Sequence, residues 1–290
     1  MPRLDRLLTL HAARPVKRLL RARPEIRIPI LMYHGVSNKV DAGRTPYYRT
    51  VTTPQVFASH VNYLKENRYQ VLTLSHAVAM LGSLSKSIHT DDRAVVITFD
   101  DGLRNFYANA YPILCGAGIV ATVFLVSRCL NGTFLNGDEC LQVEEVKELS
   151  RYGIEFGSHS ETHRHLQDLE PCEVERELTV SKATIQEALG KEVTLFSYPY
   201  RFPEHKPQFK QHFRRALLDA GYQAGVTTVI GRAGLDADVL FLPRIPVNDC
   251  DDHELFAAKL DGAYDWLHGA QLLLKRSRAL MQRQTSPRKQ

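Results

Sequence analysis

Residues 95–102 read VVITFDDG, and the fold is decided by how this stretch is read. Five β-branched or aromatic residues in a row, closed by a glycine turn, make a short strand buried on both faces, which is what a parallel sheet covered by helices requires. The strand delivers two adjacent carboxylates, Asp100 and Asp101, to its C-terminal end, where parallel α/β proteins place their sites. Neighbouring aspartates project differently, so one can hold a cation while the other handles a proton. An aspartate before a helix also serves simply as an N-cap.

Working outward, strands and helices alternate on both sides. Upstream, IPILMYH at 28–34 is a short buried strand, Thr53-Pro54 opens a helix over 54–67, and a strand at 71–73 leads into a helix from Ser75. Downstream, helices are expected over 103–115, over 171–189 with Gly190 as the stop, and over 208–219. Strands are expected at 120–126, 154–157, 193–198, 223–226 and 240–245. This makes about seven or eight βα units, which suits a closed or nearly closed (β/α) barrel, with an open doubly wound sheet as the structural alternative. No GxGxxG or GxxxxGK[ST] follows the early strands, so nucleotide binding has no support.

Length and composition agree with one large domain: 290 residues, 44% hydrophobic, with five cysteines that form no CxxC pair and read as reduced core residues. Formal charge is +5 and unevenly spread. Residues 1–27 hold eight Arg/Lys against two acids and residues 274–290 hold six against none, which leaves the body between them acidic. A basic groove through the domain is therefore not expected, and nucleic acid is excluded as the natural partner. The chain divides into a basic N-terminal segment at 1–27, a barrel at 28–268, and a basic helix and tail at 269–290, with an amphipathic helix expected over 270–283. No apolar run at the start reaches signal-peptide length, so a cytoplasmic location is expected, with the basic tails touching an anionic membrane face.

Two further segments carry chemistry. IEFG runs into SHSETHRHL, which sets His159 and His163 four residues apart. Two imidazoles with one carboxylate suit Zn²⁺ and leave a coordination position open; Co²⁺, Mn²⁺ and Ni²⁺ are accepted by the same donors. His165 is set aside because two histidines and an aspartate suffice. LFSYPYR at 195–201 ends a strand in Tyr-Pro-Tyr, where the backbone N–H of Tyr200 can point at a developing oxyanion. An aromatic strand end packed on the core is the plainer reading. Tyr47, Tyr48 and Tyr107 are candidates for stacking on sugar faces.

TFDDG, HSETH and SYPY, in this order and each after an expected strand, resemble the first three motifs of the polysaccharide deacetylases, the NodB-homology or carbohydrate esterase four family. The resemblance spans about 28–247. It implies a distorted (β/α) barrel, a divalent metal, usually zinc, and hydrolysis of N-acetyl groups on an amino sugar, polysaccharide or glycan intermediate of cell-surface or exopolysaccharide synthesis. Carried over by motif, Asp100 is the general base, Asp101, His159 and His163 hold the metal, and the Tyr200 N–H joins in stabilising the oxyanion.

The early ILMYHGV is similar to the permuted arrangement of poly-N-acetylglucosamine deacetylases, which makes His34 the general acid. The chain departs from the family in two places. Ser197 stands where an arginine orients the base, for which Arg244 in LPRIPV, or else Arg201, is the substitute. The DxxDW motif has no match, since Tyr264-Asp265-Trp266 comes too late. These departures leave a non-catalytic glycan-binding protein on the same fold as the alternative.

Overall fold

The strand alternation closes on itself. In the computed structural model, which describes residues 3–20, 26–39, 44–83, 93–269 and 272, seven parallel strands form a barrel. They are β1 (Ile30–Tyr33), β2 (Ala94–Phe99), β3 (Thr122–Leu125), β4 (Glu155–Ser158), β5 (Leu195–Ser197), β6 (Ala224–Ile230) and β7 (Leu242–Pro246). Each strand pairs with the next in chain order, and β7 pairs back onto β1 through Ile245 opposite Leu31. Closure leaves no free edge, so the expected barrel is the one formed and the open sheet is not.

Alternation along β2 explains the two layers of core. Val95, Ile97 and Phe99 face the helices and pack with Phe57, Val61 and Leu114. Val96 faces the barrel interior with Ile30, Phe124, Leu195, Val226 and Leu242. All six residues of β2 are buried. This is why the strand reads as a continuous apolar run and not as an alternating one.

Around the barrel lie α1 (Pro54–Glu66), α2 (Leu74–Ser83), α3 (Tyr111–Ala117), α4 (Val143–Arg151), α5 (Pro171–Leu189), α6 (Pro207–Asp219) and α7 (His253–Leu260). Helix α1 starts where Thr53 accepts from the Val56 N–H, and α5 stops at Gly190, which takes φ 65°. Helix α2 closes the N-terminal end of the barrel: Leu74, Ala77 and Leu81 join the interior cluster.

Several elements differ from the sequence expectation. The strand expected at 71–73 is Gln70–Leu72 and lies outside the ring, paired only with the first half of β2. The helix expected over 103–115 begins instead as a wider turn, Phe106–Ala110, and becomes α-helical only from Tyr111. Pro112 near that junction lacks the N–H that an unbroken α-helix would need. Helices α4 and α7 were not expected. Gln142 caps α4 in a reciprocal box with Glu145, a role for which shorter side chains are the usual marker. In α7 every residue from Leu255 to Leu260 is buried, so no amphipathic period exists to be read.

Within the basic segment 1–27, Leu4–Leu8, Thr9–Ala13 and Arg14–Leu20 form successive helical stretches laid against α7 and the residues around it. Arg3 pairs with Asp251 at 3.0 Å, Arg6 with Asp252 at 2.7 Å and with Glu254 at 2.9 Å, and Trp266 donates to Thr9 at 3.0 Å. The expected helix over 270–283 lies outside the described residues apart from position 272. Among the described residues no helix is long and apolar enough to cross a membrane.

Candidate metal centre and catalytic cleft

The three motifs meet at the C-terminal mouth of the barrel, and the backbone bends abruptly at each. Among the described residues six non-glycine positions have a left-handed φ, and four of them lie here: Asp101 (71°), Ser160 (70°), His163 (57°) and Tyr200 (57°). Such conformations cost about 1–3 kcal/mol each and persist where surrounding structure holds them. After Asp101 the chain continues through Gly102 at φ 63°, where a Cβ would come within 2.8 Å of the Leu125 side chain. The DDG sequence is therefore needed for the turn as well as for its carboxylates.

The histidine loop is held from beneath by α5. Glu177 accepts from the Thr162 N–H at 2.9 Å and from the Thr162 hydroxyl, and the Glu177 carbonyl accepts from the Glu161 N–H. The His163 N–H donates to Ser160 Oγ at 3.0 Å. His159 Nδ1 lies 2.8 Å from the Ser197 carbonyl. A carbonyl can only accept, so the proton sits on Nδ1 and the Nε2 lone pair faces the cleft.

That lone pair is aimed at Asp101. His159 Nε2 and His163 Nε2 lie 3.6 Å and 3.4 Å from Asp101 Oδ1, and one ligand atom from each residue falls within 4.8 Å of the others. Asp101 Oδ1 is buried with no hydrogen-bond partner, an arrangement that is costly unless something else satisfies it. Burial, and then the neighbouring Asp100 carboxylate, push Asp101 up to about 8. Burial likewise lowers both histidines, His163 to about 3. Neutral imidazoles and a carboxylate without a partner fit a divalent cation, whose charge would reverse the penalty on Asp101.

Asp100 lies in a different environment. Arg244, fully buried inside the barrel, donates from Nη1 to Oδ1 at 2.8 Å and from Nη2 to Oδ2 at 2.7 Å, and Ser197 Oγ donates to Oδ1 at 3.1 Å. Burial alone would raise the Asp100 carboxyl, but the Arg244 guanidinium outweighs it and holds the group well below the usual carboxylate range. The guanidinium is itself aligned by Thr227 O at 3.0 Å and Thr98 Oγ1 at 3.2 Å. Arg244 from β7 thus occupies the place next to Asp100 that Ser197 is too short to fill. Arg201 points elsewhere.

His34 follows β1 beside Asp100: Tyr33 pairs with Phe99, and the Asp100 N–H donates to the Tyr33 carbonyl at 3.0 Å. Burial lowers His34 to about 4 against the opposing pull of Asp100. Tyr200 lines the same mouth, and its ring stacks on His165 at 3.8 Å and leans on His163 at 4.5 Å. His165, set aside at the level of sequence, therefore supports the Tyr200 turn.

These groups open into a cleft of about 980 Å³. Its far wall is a hairpin around Phe134–Asp138, and Lys39 reaches across to Asp138 at 3.3 Å. Neither hairpin nor ion pair was expected, because loops of this kind carry no periodic signature.

A closed parallel barrel carries at its mouth an Asp-His-His cluster that could hold a metal ion and, beside it, a clamped carboxylate, and comparison with known proteins says which family builds such a site. The polysaccharide deacetylase family model matches residues 87–225. The chain is 31% identical over 235 residues to YxkH of Bacillus subtilis, named among the polysaccharide deacetylases, covering 81% of this chain and 76% of that one. It is 26% identical over 221 residues to the poly-β-1,6-N-acetyl-D-glucosamine N-deacetylase of Staphylococcus epidermidis, covering 72% of each. The fold is shared with the Streptococcus pyogenes deacetylase PplD in complex with acetate, at TM-score 0.69 and 23% identity over 81% of this chain and 99% of that one. It is also shared with IcaB from Ammonifex degensii, at TM-score 0.66 and 22% identity over 82% and 97%. The chain belongs to the polysaccharide deacetylase family.

Proposed function

We propose that this protein is a metal-dependent deacetylase that hydrolyses N-acetyl groups on an amino sugar or polysaccharide, in the synthesis of a cell-surface or exported glycan. The observation that carries the reading is the orphaned Asp101 Oδ1 facing the Nε2 atoms of two imidazoles, next to a second carboxylate kept ionised by Arg244. A divalent metal, zinc by donor type, bound by Asp101, His159 and His163 would supply Lewis-acid polarisation of the acetamide carbonyl and of water.

The chain's own groups do the rest. Asp100 accepts a proton from the attacking water, with Arg244 and Ser197 fixing the carboxylate so that little reorganisation is needed. The Tyr200 N–H donates to the oxyanion of the tetrahedral species. The C–N bond then breaks and the nitrogen needs a proton. Burial favours neutral His34, so the proton that Asp100 takes from water is passed on to His34 and from it to the leaving nitrogen, and acetate and a free amine result.

The glycan-binding alternative drew on the missing arginine, and Arg244 supplies a guanidinium where one was lacking. The test is acetate release from N-acetylglucosamine oligomers by apo-protein and by protein with added Zn²⁺. Asp100→Asn is expected to bind zinc but lose at least ~10²-fold in rate, and His159→Ala to lose zinc binding. Stoichiometric zinc without acetate release from any acetylated sugar would favour the glycan-binding reading.

Contact with an anionic membrane surface is part of the proposal. What supports it is the N-terminal helical segment, which leaves Leu4, Leu7, Leu8, Val16 and Leu19 exposed, with the Arg18 cation exposed beside Leu19.

A further inference from the structure

A second, smaller pocket of about 210 Å³ adjoins the catalytic cleft and shares His34, Thr50 and Thr228 with it. It is smaller than sites for drug-sized ligands, which start at roughly 300 Å³, and has room for one ring or substituent. The rest of its lining includes Tyr47, Tyr48, Arg49 and Arg201 and contains no acidic residue.

The two cations are distinctive. Arg201 is exposed and, among the described residues, has no hydrogen bond or ion pair. Its backbone is nevertheless fixed: Thr228 Oγ1 donates to the Tyr200 carbonyl at 3.0 Å and accepts from the Phe202 N–H at 2.9 Å, on either side of it. Among the described residues Arg49 Nε is buried without a hydrogen-bond partner, and Arg49 Nη1 donates to the weak acceptor Cys250 Sγ at 3.5 Å. Asn248 Nδ2 donates to the carbonyls of Pro46 and Arg49 at 2.9 and 3.0 Å, which pins the Tyr47-Tyr48 turn. Tyr48 is 61% exposed, with its ring set perpendicular to that of Tyr47.

We propose that this pocket is a subsite for an anionic sugar unit, a hexuronate or a phosphodiester-substituted sugar, adjacent to the acetamido sugar that is deacetylated. Arg201 pairs with the carboxylate or phosphate in the forked geometry that guanidinium favours, Arg49 Nε gains the acceptor it lacks, and Tyr48 lies against the ring. The preferred substrate is then an acidic, partly N-acetylated glycan and not a neutral homopolymer. The inference rests on the deacetylase reading, because it places the anion one sugar from the reacting amide.

Three probes test it: a neutral N-acetylglucosamine tetramer, an N-acetylheparosan tetrasaccharide that alternates with uronate, and a phosphodiester-linked N-acetylglucosamine oligomer. One acidic probe is expected to show a KM roughly tenfold below that of the neutral tetramer, as a charge-assisted hydrogen bond implies. Arg201→Gln should collapse that ratio, and raised salt should narrow it. Which acidic probe gains identifies carboxylate or phosphate as the anion. Binding of the same probes to the Asp100→Asn protein by calorimetry separates the two proposals. Acid preference in binding without acetate release from any probe by the wild type would keep the subsite and overturn the deacetylase. Acetate release with no acid preference, or with a preference that Arg201→Gln leaves intact, would overturn the subsite alone.

Discussion

Two aspartates adjacent in sequence are driven to opposite ionisation tendencies by their partners. Asp100 faces a buried guanidinium that keeps it charged, whereas burial, and then the adjacent Asp100 carboxylate, push Asp101 up to about 8. The Arg244–Asp100 pair is 0% and 2% exposed, so neither charge can fall back on water. Arg244→Met is expected to destabilise the fold by about 3–5 kcal/mol, the cost of an uncompensated buried charge. Adding Asp100→Asn should recover part of that loss in urea unfolding, and an Arg244→Met protein as stable as the wild type would show that the pair does not behave as a buried one. The VVITFDDG stretch made the carboxylates legible, but their division of labour came from the family resemblance. The partner of Asp100 lies 144 positions away, beyond the reach of any local pattern.

Each site residue is aimed by the strand end that carries it. Strand β4 must approach its neighbours closely, and Gly157 makes this possible: a Cβ there would come within 2.7 Å of the Phe124 ring and 2.9 Å of the Leu195 carbonyl. The carbonyl belongs to a neighbouring strand and cannot swing away. Gly157→Ala is accordingly expected to cost about 1–3 kcal/mol of stability. It should also weaken zinc binding, because the strand displaced is the one leading to His159. Calorimetric zinc titration alongside thermal unfolding checks both, and unaltered zinc affinity in a destabilised variant would uncouple strand position from the site. Elements with a strong local period or cap, such as α5 and β2, were legible to the residue. Helix α7 was not, since its side chains are buried nearly all round and include Lys259, which pairs with Asp251 at 2.7 Å.

At the scale of the molecule, charge is distributed with the N-terminal cations turned inward. Ion pairs from Arg3, Arg6 and Arg14 to Asp251, Asp252, Glu254 and Asp261 dock the basic segment on the acidic body, and its leucines are left outside. With Arg18 exposed beside Leu19, this surface suits anionic lipid, to which apolar burial and cationic charge contribute together. The protein is expected to sediment with vesicles containing phosphatidylglycerol and much less with phosphatidylcholine alone. The double variant Leu8→Glu, Leu19→Glu should release it while acetate production is retained. Sedimentation unaffected by these substitutions would remove the helix from the contact.

By itself the sequence determined the alternation of buried parallel strands and helices and the three motifs whose carboxylates and imidazoles carry the chemistry, because buried strands, helix caps and metal-ligand spacings are local patterns; barrel or open sheet stayed open. Tertiary structure alone decided that β1 closes the ring between β7 and β2, that Arg244 and not Arg201 meets Asp100, and that Arg49 and Arg201 share a pocket. Those outcomes depend on barrel closure, which brings side chains from distant strands to one axis, and no spacing along the chain encodes which of them will touch.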